Sequence, residues 1–252
     1  MIEERFAEGQ SVIHRTDPAL RVVAATVFSF SAALIDSVAA LLLALLFAVV
    51  LALAARLPVR PLCKRLAAAG SLLLLVWLVI PLTYAGEPLL SWGPLAASRE
   101  GVRLCLVITL KTISILMTFT ALVATMHLAT LGHTLHRLGV PPKLVQLLLL
   151  AYRYSFVIAH EYQRLLRAAK MRNFRPTTRL HTYKTYAYLV GMLFVRASER
   201  ARRVHLAMKC RGFNGRFHCL VSYAATPWNP VLGAAVLLVS AGLVAIHWLG
   251  WG

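Results

Sequence analysis

The sequence predicts an all-α integral membrane protein with about five transmembrane helices and two long cytoplasmic helices. The first observation is that 59% of the residues are hydrophobic, with a mean hydropathy of +0.70. The second is that several apolar stretches approach the ~20 residues that a helix needs to cross ~30 Å of hydrocarbon. The third is that most basic residues lie in one long segment between such stretches. Because only helices and closed barrels satisfy their backbone polar groups in a bilayer, we expect the apolar stretches to be helical.

The first apolar run covers residues 22–55 and is too long for a single crossing. Its only charge is Asp36, which Ser37 follows, so we divide the run there into a hairpin of two spans. The segment after this hairpin is basic and should be cytoplasmic, and its two prolines are expected to break the helix. Its basic residues and prolines are Arg56, Pro58, Arg60, Pro61, Lys64 and Arg65.

Three further spans complete the predicted membrane part. The third is expected at about residues 67–84, and the loop that follows it should face outward. The fourth is expected at about 103–126 and the last at 227–248, with Trp228 and Trp248 at the two membrane interfaces. The chain is thereby divided into N-terminal transmembrane helices (1–126), a basic cytoplasmic segment (127–226) and a C-terminal transmembrane helix (227–252).

The distribution of charge predicts the orientation. Residues 127–226 hold 17 of the 27 Lys and Arg residues but only two acidic residues. By the positive-inside rule this segment and the N-terminus should be cytoplasmic, which indicates a multi-pass protein of the bacterial inner membrane. Residues 1–21 carry four acidic side chains and no apolar core, so no cleavable signal peptide is expected.

Several other features favour ordinary roles. The net charge of +18 does not predict nucleic-acid binding, because the basic residues alternate with membrane-length apolar stretches and form no recognition module. Lys111, well inside a predicted span, either reaches the outer headgroups or contacts another membrane subunit. Neither the histidines nor the cysteines predict a metal site, and we interpret them as surface residues and apolar fillers respectively. They are His127, His133, His136, Cys63, Cys105, Cys210 and Cys219.

Two long helices are predicted in the basic segment, at about residues 143–172 and 178–211. Each carries a stripe of residues spaced three or four apart that ends in an arginine. The first stripe contains Tyr154, Ile158, Glu161, Leu165, Ala168 and Arg172, and the second Ala197, Ala201, Val204, Met208 and Arg211. Ion pairs along each helix are expected between Glu161 and Arg164, and between Glu199 and Arg196, Arg202 or Arg203.

The ends of these two helices repeat one short pattern. Residues 168–174 read AAKMRNF and residues 207–213 read AMKCRGF, which match at Ala, Lys, Arg and Phe. Asn173 and Gly212 follow the last helical turns and are the residue types that best adopt a left-handed cap. Each tip would present one arginine, whose guanidinium suits a bidentate bond to a carboxylate of a protein partner. Alternatively, both arginines only favour the negative end of a helix dipole or meet anionic headgroups.

These residues resemble the transmembrane T component of energy-coupling factor transporters, and within it the cobalt-type CbiQ branch. That family carries paired Ala-Arg-Gly-like motifs at the ends of cytoplasmic coupling helices, which correspond here to Met171-Arg172-Asn173 and Cys210-Arg211-Gly212. The first motif departs from the pattern by its Met and Asn, and the second by its Cys. Residues 196–215 are particularly similar to the cobalt branch. The supporting residues are Lys170, Phe174, Lys209, Phe213, Glu161 and Glu199.

The resemblance implies a non-catalytic permease subunit of an importer for cobalt ions. Arg172 and Arg211 would enter grooves on two ATP-binding-cassette subunits and pair with acidic groups there. ATP-driven closure would move the two helices, and the motion would reach a separate membrane subunit that captures the substrate, assisted by a small accessory membrane protein. The chain has no GxxxxGK[ST] loop, so we expect no cofactor in it, and ATP and Mg²⁺ only in the partners.

A second hypothesis is a self-contained membrane enzyme or carrier whose basic cytosolic segment binds an anionic lipid or a phosphate substrate. This hypothesis predicts activity in the isolated chain, whereas a coupling subunit is inactive alone. The sequence contains no evident nucleophile or acid–base pair, and an enzyme or carrier does not explain the paired helix tips.

Overall fold

The computed structural model describes residues 11–84, 88–92, 95–215 and 228–248. Within these residues the chain forms nine helices and one two-stranded antiparallel sheet, which confirms the predicted all-α fold class. The elements are α1 (Val12–Arg15), α2 (Pro18–Leu34), α3 (Val38–Ala54), α4 (Val59–Thr83), β1 (Pro88–Trp92), β2 (Leu95–Ser98), α5 (Arg99–Leu122), α6 (Leu128–Arg137), α7 (Pro142–Met171), α8 (Leu180–Cys210) and α9 (Trp228–Trp248).

The chain divides into two compact units. The membrane unit comprises Glu4–Leu131 and Ser222–Gly252, and therefore contains α1 to α5 and α9. The basic unit comprises Met1–Glu3 and Gly132–Val221, and contains α7, α8 and the second half of α6. The basic unit is thus an insertion between α5 and α9. The division of the chain into membrane and cytoplasmic segments at residues 126 and 226 stays a prediction.

Small side chains form a packing face in the membrane unit. On α3, Ala40, Ala44 and Ala48 recur every four residues and are fully buried. Alanines let helix backbones approach closely, which favours helix association in lipid, where burial of larger apolar side chains gains little. Here α3 packs on α5, α2 packs on α5 and α9, and α4 packs on α5. Phe28 of α2 is fully buried among them, with its ring centroid 5.6 Å from that of Phe47.

Five apolar helices account for the membrane character. Among the described residues, Val59–Thr83, Arg99–Leu122 and Trp228–Ile246 are long and apolar enough to cross a membrane. The other two, α2 and α3, are also apolar but have 17 residues each, or about 26 Å of helix. The break between α2 and α3 contains Asp36, which confirms the predicted hairpin. The protein is therefore an all-α, multi-pass membrane protein.

The start of the third span differs from the prediction. Its helix α4 begins at Val59, so that Pro58 is the N-cap residue and Pro61 lies in the first turn. Proline is tolerated at these positions because the first N–H groups of a helix have no intrahelical partner. Pro58 therefore separates α3 from α4, as predicted, whereas Pro61 lies inside α4 without breaking it, and the span begins about eight residues before its predicted start.

The fourth span is also displaced toward the N-terminus of the chain. Its helix α5 begins at Arg99 because Ser98 Oγ accepts a hydrogen bond from Gly101 N at 3.1 Å, which caps the first turn. The helix ends at Leu122, four residues before the predicted end. The sequence patterns predicted neither α6 nor the β1–β2 hairpin in the loop before α5.

Lys111 of α5 joins the hairpin of the first two spans. Its Nζ lies 2.8 Å from Asp36 Oδ1 and donates a hydrogen bond to Ala33 O at 2.9 Å. The second acceptor belongs to the last turn of α2, whose carbonyl groups have no helical partner. The charge of Lys111 is therefore paired within the membrane unit, at the segment between the first two spans. Its predicted reach to the outer headgroups and its predicted contact with another subunit both stay predictions.

This ion pair leads to a test by a double-mutant cycle. Lys111→Met and Asp36→Asn should each lower the thermal stability of the detergent-purified chain, because each leaves one charge without its partner. The double variant should recover part of the loss, with a coupling energy on the order of 1 kcal/mol, since the Asp36 side chain is 78% exposed. Thermal unfolding followed by circular dichroism measures the cycle. Strictly additive losses would contradict the pairing.

Candidate functional site

The two long helices of the basic unit, α7 and α8, form an antiparallel pair. Three side-chain contacts join them, at the two ends and in the middle. These are a hydrogen bond from Gln146 Nε2 to Gly215 O, an ion pair between Glu161 and Arg196, and an edge-to-face contact between the rings of Phe174 and Tyr186, with centroids 5.5 Å apart. From the first contact to the third, the residue number on the α7 side rises from 146 to 174, while the residue number on the α8 side falls from 215 to 186. The helices therefore run in opposite directions.

The antiparallel arrangement places the two arginine tips at opposite ends of the pair. Arg211 follows the end of α8, close to the level of Gln146 at the start of α7. Arg172 follows the end of α7, about 26 residues farther along that helix. At 1.5 Å per residue, the two arginines are separated by roughly 40 Å along the pair. The sequence predicted two similar tips but did not show that they point in opposite directions.

The tip of α7 is a Schellman motif, in which two backbone hydrogen bonds close the last turn. Arg172 is the C-cap residue, and Asn173 after it has a left-handed φ of 62°. The N–H of Asn173 donates to Lys170 O at 3.0 Å. The N–H of Phe174 donates to Ala169 O at 3.1 Å, and this hydrogen bond closes the larger of the two rings that define the motif.

The tip of α8 has the same geometry. Arg211 is its C-cap residue, and Gly212 has a left-handed φ of 76°. The N–H of Gly212 donates to Lys209 O, and the N–H of Phe213 donates to Met208 O, both at 3.0 Å. The left-handed caps predicted at the two tips are therefore confirmed. The repeat in the sequence corresponds to a repeat in the backbone.

The repeated Phe belongs to the cap rather than to the exposed part of the tip. A hydrophobic residue at the second position after a Schellman cap usually packs back on the last turns. Phe174 and Phe213 are both half-buried, and Phe213 lines the same groove as Met208. The ends of α3 and α6 show the same backbone hydrogen bonds, but with Ala55 and Leu138 where the two tips have arginine. The arginines, and not the turns, distinguish α7 and α8.

Both arginines are available to a partner. Arg172 and Arg211 are exposed, and neither forms an ion pair with another residue in the part of the chain that the structure describes. Met171 is 88% exposed, so the position before Arg172 is also accessible. The remaining polar and small residues of the two motifs are exposed as well: Lys170, Asn173, Lys209, Cys210 and Gly212. Each tip is thus a rigid turn that presents one free guanidinium.

Glu161 is the acidic residue at the centre of the pair. Its Oε1 accepts a hydrogen bond from Arg196 of α8, and its Oε2 lies 3.6 Å from Arg164 on its own helix. The hydrogen bond from Arg196 is the largest of the effects that hold the pKa of Glu161 below its usual value, and the charges of Arg164 and Arg200 lower it further. The predicted pair with Arg164 is confirmed, but the stronger link crosses to α8.

The predicted ion pairs of Glu199 are wrong. In the described part of the chain Glu199 is exposed and pairs with none of the three arginines at helical spacing. Arg196 is instead directed to Glu161, because that carboxylate lies on the face of α7 that α8 contacts. Sequence spacing predicted pairs within one helix and could not show which face of each helix meets the other.

An apolar groove with a volume of about 610 Å³ runs between α7 and α8. Leu150 and Val157 of α7 and Val204 and Met208 of α8 line it, and the Glu161–Arg196 pair borders it. Apolar side chains of both helices therefore face a shared space beside the Glu161–Arg196 pair.

The described residues do not form a candidate metal centre. No group of three His, Cys, Asp or Glu side chains within them is close enough to hold a metal ion. Cys105 is buried, as expected of an apolar filler, whereas Cys63 and Cys210 are exposed. Cys219 lies outside the described residues.

The Glu161–Arg196 pair leads to a pH-dependence test. Pairing lowers the pKa of Glu161. The ion pair therefore stabilises the α7–α8 association fully above the unfolded reference pKa of about 4.3, and this stabilisation is lost as the pH falls through the lower folded pKa. Spin labels at the exposed positions 163 and 198 should report a constant α7–α8 distance from about pH 7 to 5, and a broader distribution below about pH 4.

Two glutamine variants complete this test. Glu161→Gln should show the broad distribution already at neutral pH, without further change on acidification. Glu199→Gln, which removes the other acidic residue of positions 132–221, should behave like the unsubstituted protein. A narrow distribution at neutral pH in Glu161→Gln would show that the ion pair does not hold the helices together.

Comparisons with known proteins agree with this architecture. The sequence profile of a family described as cobalt transport protein, CbiQ, matches residues 9–223. The chain is similar to the energy-coupling factor transporter transmembrane protein EcfT of Acidaminococcus fermentans, with 26% identity over 97% of this chain and 96% of that protein. The EcfT protein of Brevibacillus brevis is 28% identical over 84% of each chain. The cobalt transport protein CbiQ of Rhodobacter capsulatus is 29% identical over 44% of each chain.

The profile match covers most of the chain, and the likeness to EcfT of A. fermentans extends over nearly the full length of both proteins. The chain therefore belongs to the CbiQ family, the cobalt-type branch of the transmembrane T components of energy-coupling factor transporters.

Proposed function

We propose that this chain is the coupling subunit of an ATP-driven importer, in which it transmits the motion of two ATPase subunits to a separate membrane subunit that captures the substrate. The observation that carries the proposal is the pair of exposed, unpaired arginines in identical caps at opposite ends of one helix pair. Two tips of the same backbone geometry, about 40 Å apart, fit two copies of one partner better than a single binding surface. Each guanidinium would form a bidentate bond with a carboxylate of one ATPase.

The mechanism follows from the antiparallel pair. When ATP binding draws the two ATPases together, a force acts on Arg172 at one end of the pair and on Arg211 at the other. The Schellman caps make each arginine a fixed extension of its helix, because two backbone hydrogen bonds hold the turn. The Glu161–Arg196 pair joins the helices between the two tips. The displacement of either tip therefore moves both helices.

The chain is not expected to bind nucleotide or substrate itself. ATP and Mg²⁺ belong to the ATPase subunits, and the substrate to the capture subunit and its small accessory membrane protein. We infer cobalt as the substrate from the description of the family and from the name of the R. capsulatus relative. The charge distribution supports a bacterial inner membrane location with the N-terminus and the basic unit in the cytoplasm.

The docking role can be tested by charge reversal. Arg172→Glu and Arg211→Glu should each weaken the association with the ATPase subunits by at least about tenfold, because a carboxylate would replace the group that a carboxylate binds. The double variant should lose the ATPases. The measurement is the amount of ATPase that co-purifies with the tagged chain in detergent, with retained helicity of the membrane unit as the folding criterion.

Matched controls are available one or two turns before each tip. Arg167→Glu on α7 and Arg203→Glu on α8 introduce the same charge change at exposed positions outside the caps. These variants should retain the ATPases. Undiminished binding by the double tip variant, or equal losses in tip and control variants, would contradict docking and favour the lipid- or phosphate-binding alternative.

A separate test shows which ion is transported and whether this chain needs the other subunits for transport. Proteoliposomes with the full complex should accumulate ⁵⁷Co²⁺ in the presence of ATP, and ⁶³Ni²⁺ serves as the competing ion. Proteoliposomes with this chain alone should accumulate neither. Uptake by the isolated chain would show a self-contained carrier, and uptake of nickel in preference to cobalt would overturn the substrate assignment.

A further inference from the structure

The first turn of α2 contains a buried cation outside the helix pair. Arg21 is 2% exposed, and in the described part of the chain no carboxylate forms an ion pair with it. A charged side chain in an apolar interior is costly unless other groups compensate for the lost water. The sequence alone gave no sign of this position, because Arg21 lies at the edge of an apolar run and reads as an ordinary flanking charge.

The compensation comes from the end of α5. Arg21 Nε donates a hydrogen bond to Leu122 O at 3.0 Å, and its Nη2 donates to Thr125 Oγ1. The threonine hydroxyl in turn donates to Ala121 O at 2.8 Å. The carbonyls of a last helical turn have no helical partner and carry the negative end of the helix dipole, so a guanidinium is well suited to cap them. One side chain of α2 therefore fixes the point at which α5 ends.

The same turn of α2 is also bonded to the start of α9. The N-cap residue of α2, Asp17, donates its backbone N–H to Asn229 Oδ1 at 3.0 Å. Along the chain the basic unit is inserted between α5 and α9, and we call the two helix ends that flank it, the end of α5 and the start of α9, its two connections. Both connections are thus bonded to residues 17–21, which lie within about 6 Å of one another along the helix axis.

We propose that the first turn of α2 is the anchor of both connections, and that Arg21 is a positioning residue that transmits displacement of the basic unit to the membrane helices. This proposal rests on the coupling function proposed above. Without Arg21 the end of α5 can move independently of α2, so part of the displacement is absorbed at the connection. ATP hydrolysis then continues while less substrate is moved for each ATP consumed.

The first measurement is structural and needs neither ATPase nor substrate. Spin labels at two exposed positions, 129 after the end of α5 and 231 in the first turn of α9, report the separation of the two connections in the full chain in nanodiscs. The unsubstituted protein should give one narrow distribution. Arg21→Met, which keeps the length of the side chain and removes its donors, should broaden it, and Arg21→Lys should restore it in part. Lys111→Met, which removes another cation of the membrane unit, should leave it narrow.

The second measurement is the number of ATP molecules hydrolysed for each ⁵⁷Co²⁺ ion imported by the complex in proteoliposomes. In Arg21→Met this number should rise by about fivefold or more, the range of a moderate coupling free energy, with the amount of bound ATPase unchanged. Thr125→Val, a substitution of equal size that removes only one acceptor, should change both readouts in the same direction and also remains informative if Arg21→Met does not fold.

The outcomes separate the two proposals. A narrow distribution in both Arg21→Met and Thr125→Val would overturn the anchor, as would a broad distribution with an unchanged ratio of ATP to cobalt. Loss of ATPase binding in these variants would overturn it too, because Arg21 would then act in assembly. If the unsubstituted chain itself binds no ATPase, the coupling function fails, and the distance measurement still decides whether Arg21 holds the connections.

Discussion

The arrangement of the two arginine tips depends on the antiparallel association of α7 and α8, and on the ion pair between Glu161 and Arg196 at its centre. Glu161 is the only acidic residue of α7, in a segment where basic residues greatly outnumber acidic ones. Its carboxylate offsets the repulsion among the neighbouring guanidiniums of both helices, and an apolar groove leaves little other contact at this level. The positions of both arginine tips follow from this association.

The tips themselves combine a common turn with an uncommon residue. Schellman caps also end α3 and α6, so the turn alone has no functional meaning. At the ends of α7 and α8 the turn holds an exposed arginine whose guanidinium forms no ion pair with a described residue. Stabilisation of the helix dipole explains one such residue, but it does not explain why both arginines occupy the same position of the same turn at opposite ends of one pair.

The sequence predicted local features well and contacts between helices poorly. Asp36 in a long apolar run predicted the first hairpin, and Asn173 and Gly212 predicted the left-handed caps, because charge and backbone preference act over a few residues. The partners of Lys111 and Arg196 were not predicted, because they lie 75 and 35 residues away along the chain. Periodicity shows which residues share a face, but the face that meets a neighbour is decided by tertiary packing.

The most direct test of the central claim is photo-crosslinking from both tips at once. With a photoreactive amino acid in place of Met171 and another in place of Cys210, irradiation of the assembled complex should give a species in which one chain is joined to two ATPase subunits. Each single replacement should give a species with one ATPase. If both positions crosslink to the same ATPase copy, or only to lipid, two-ended docking of the helix pair is wrong.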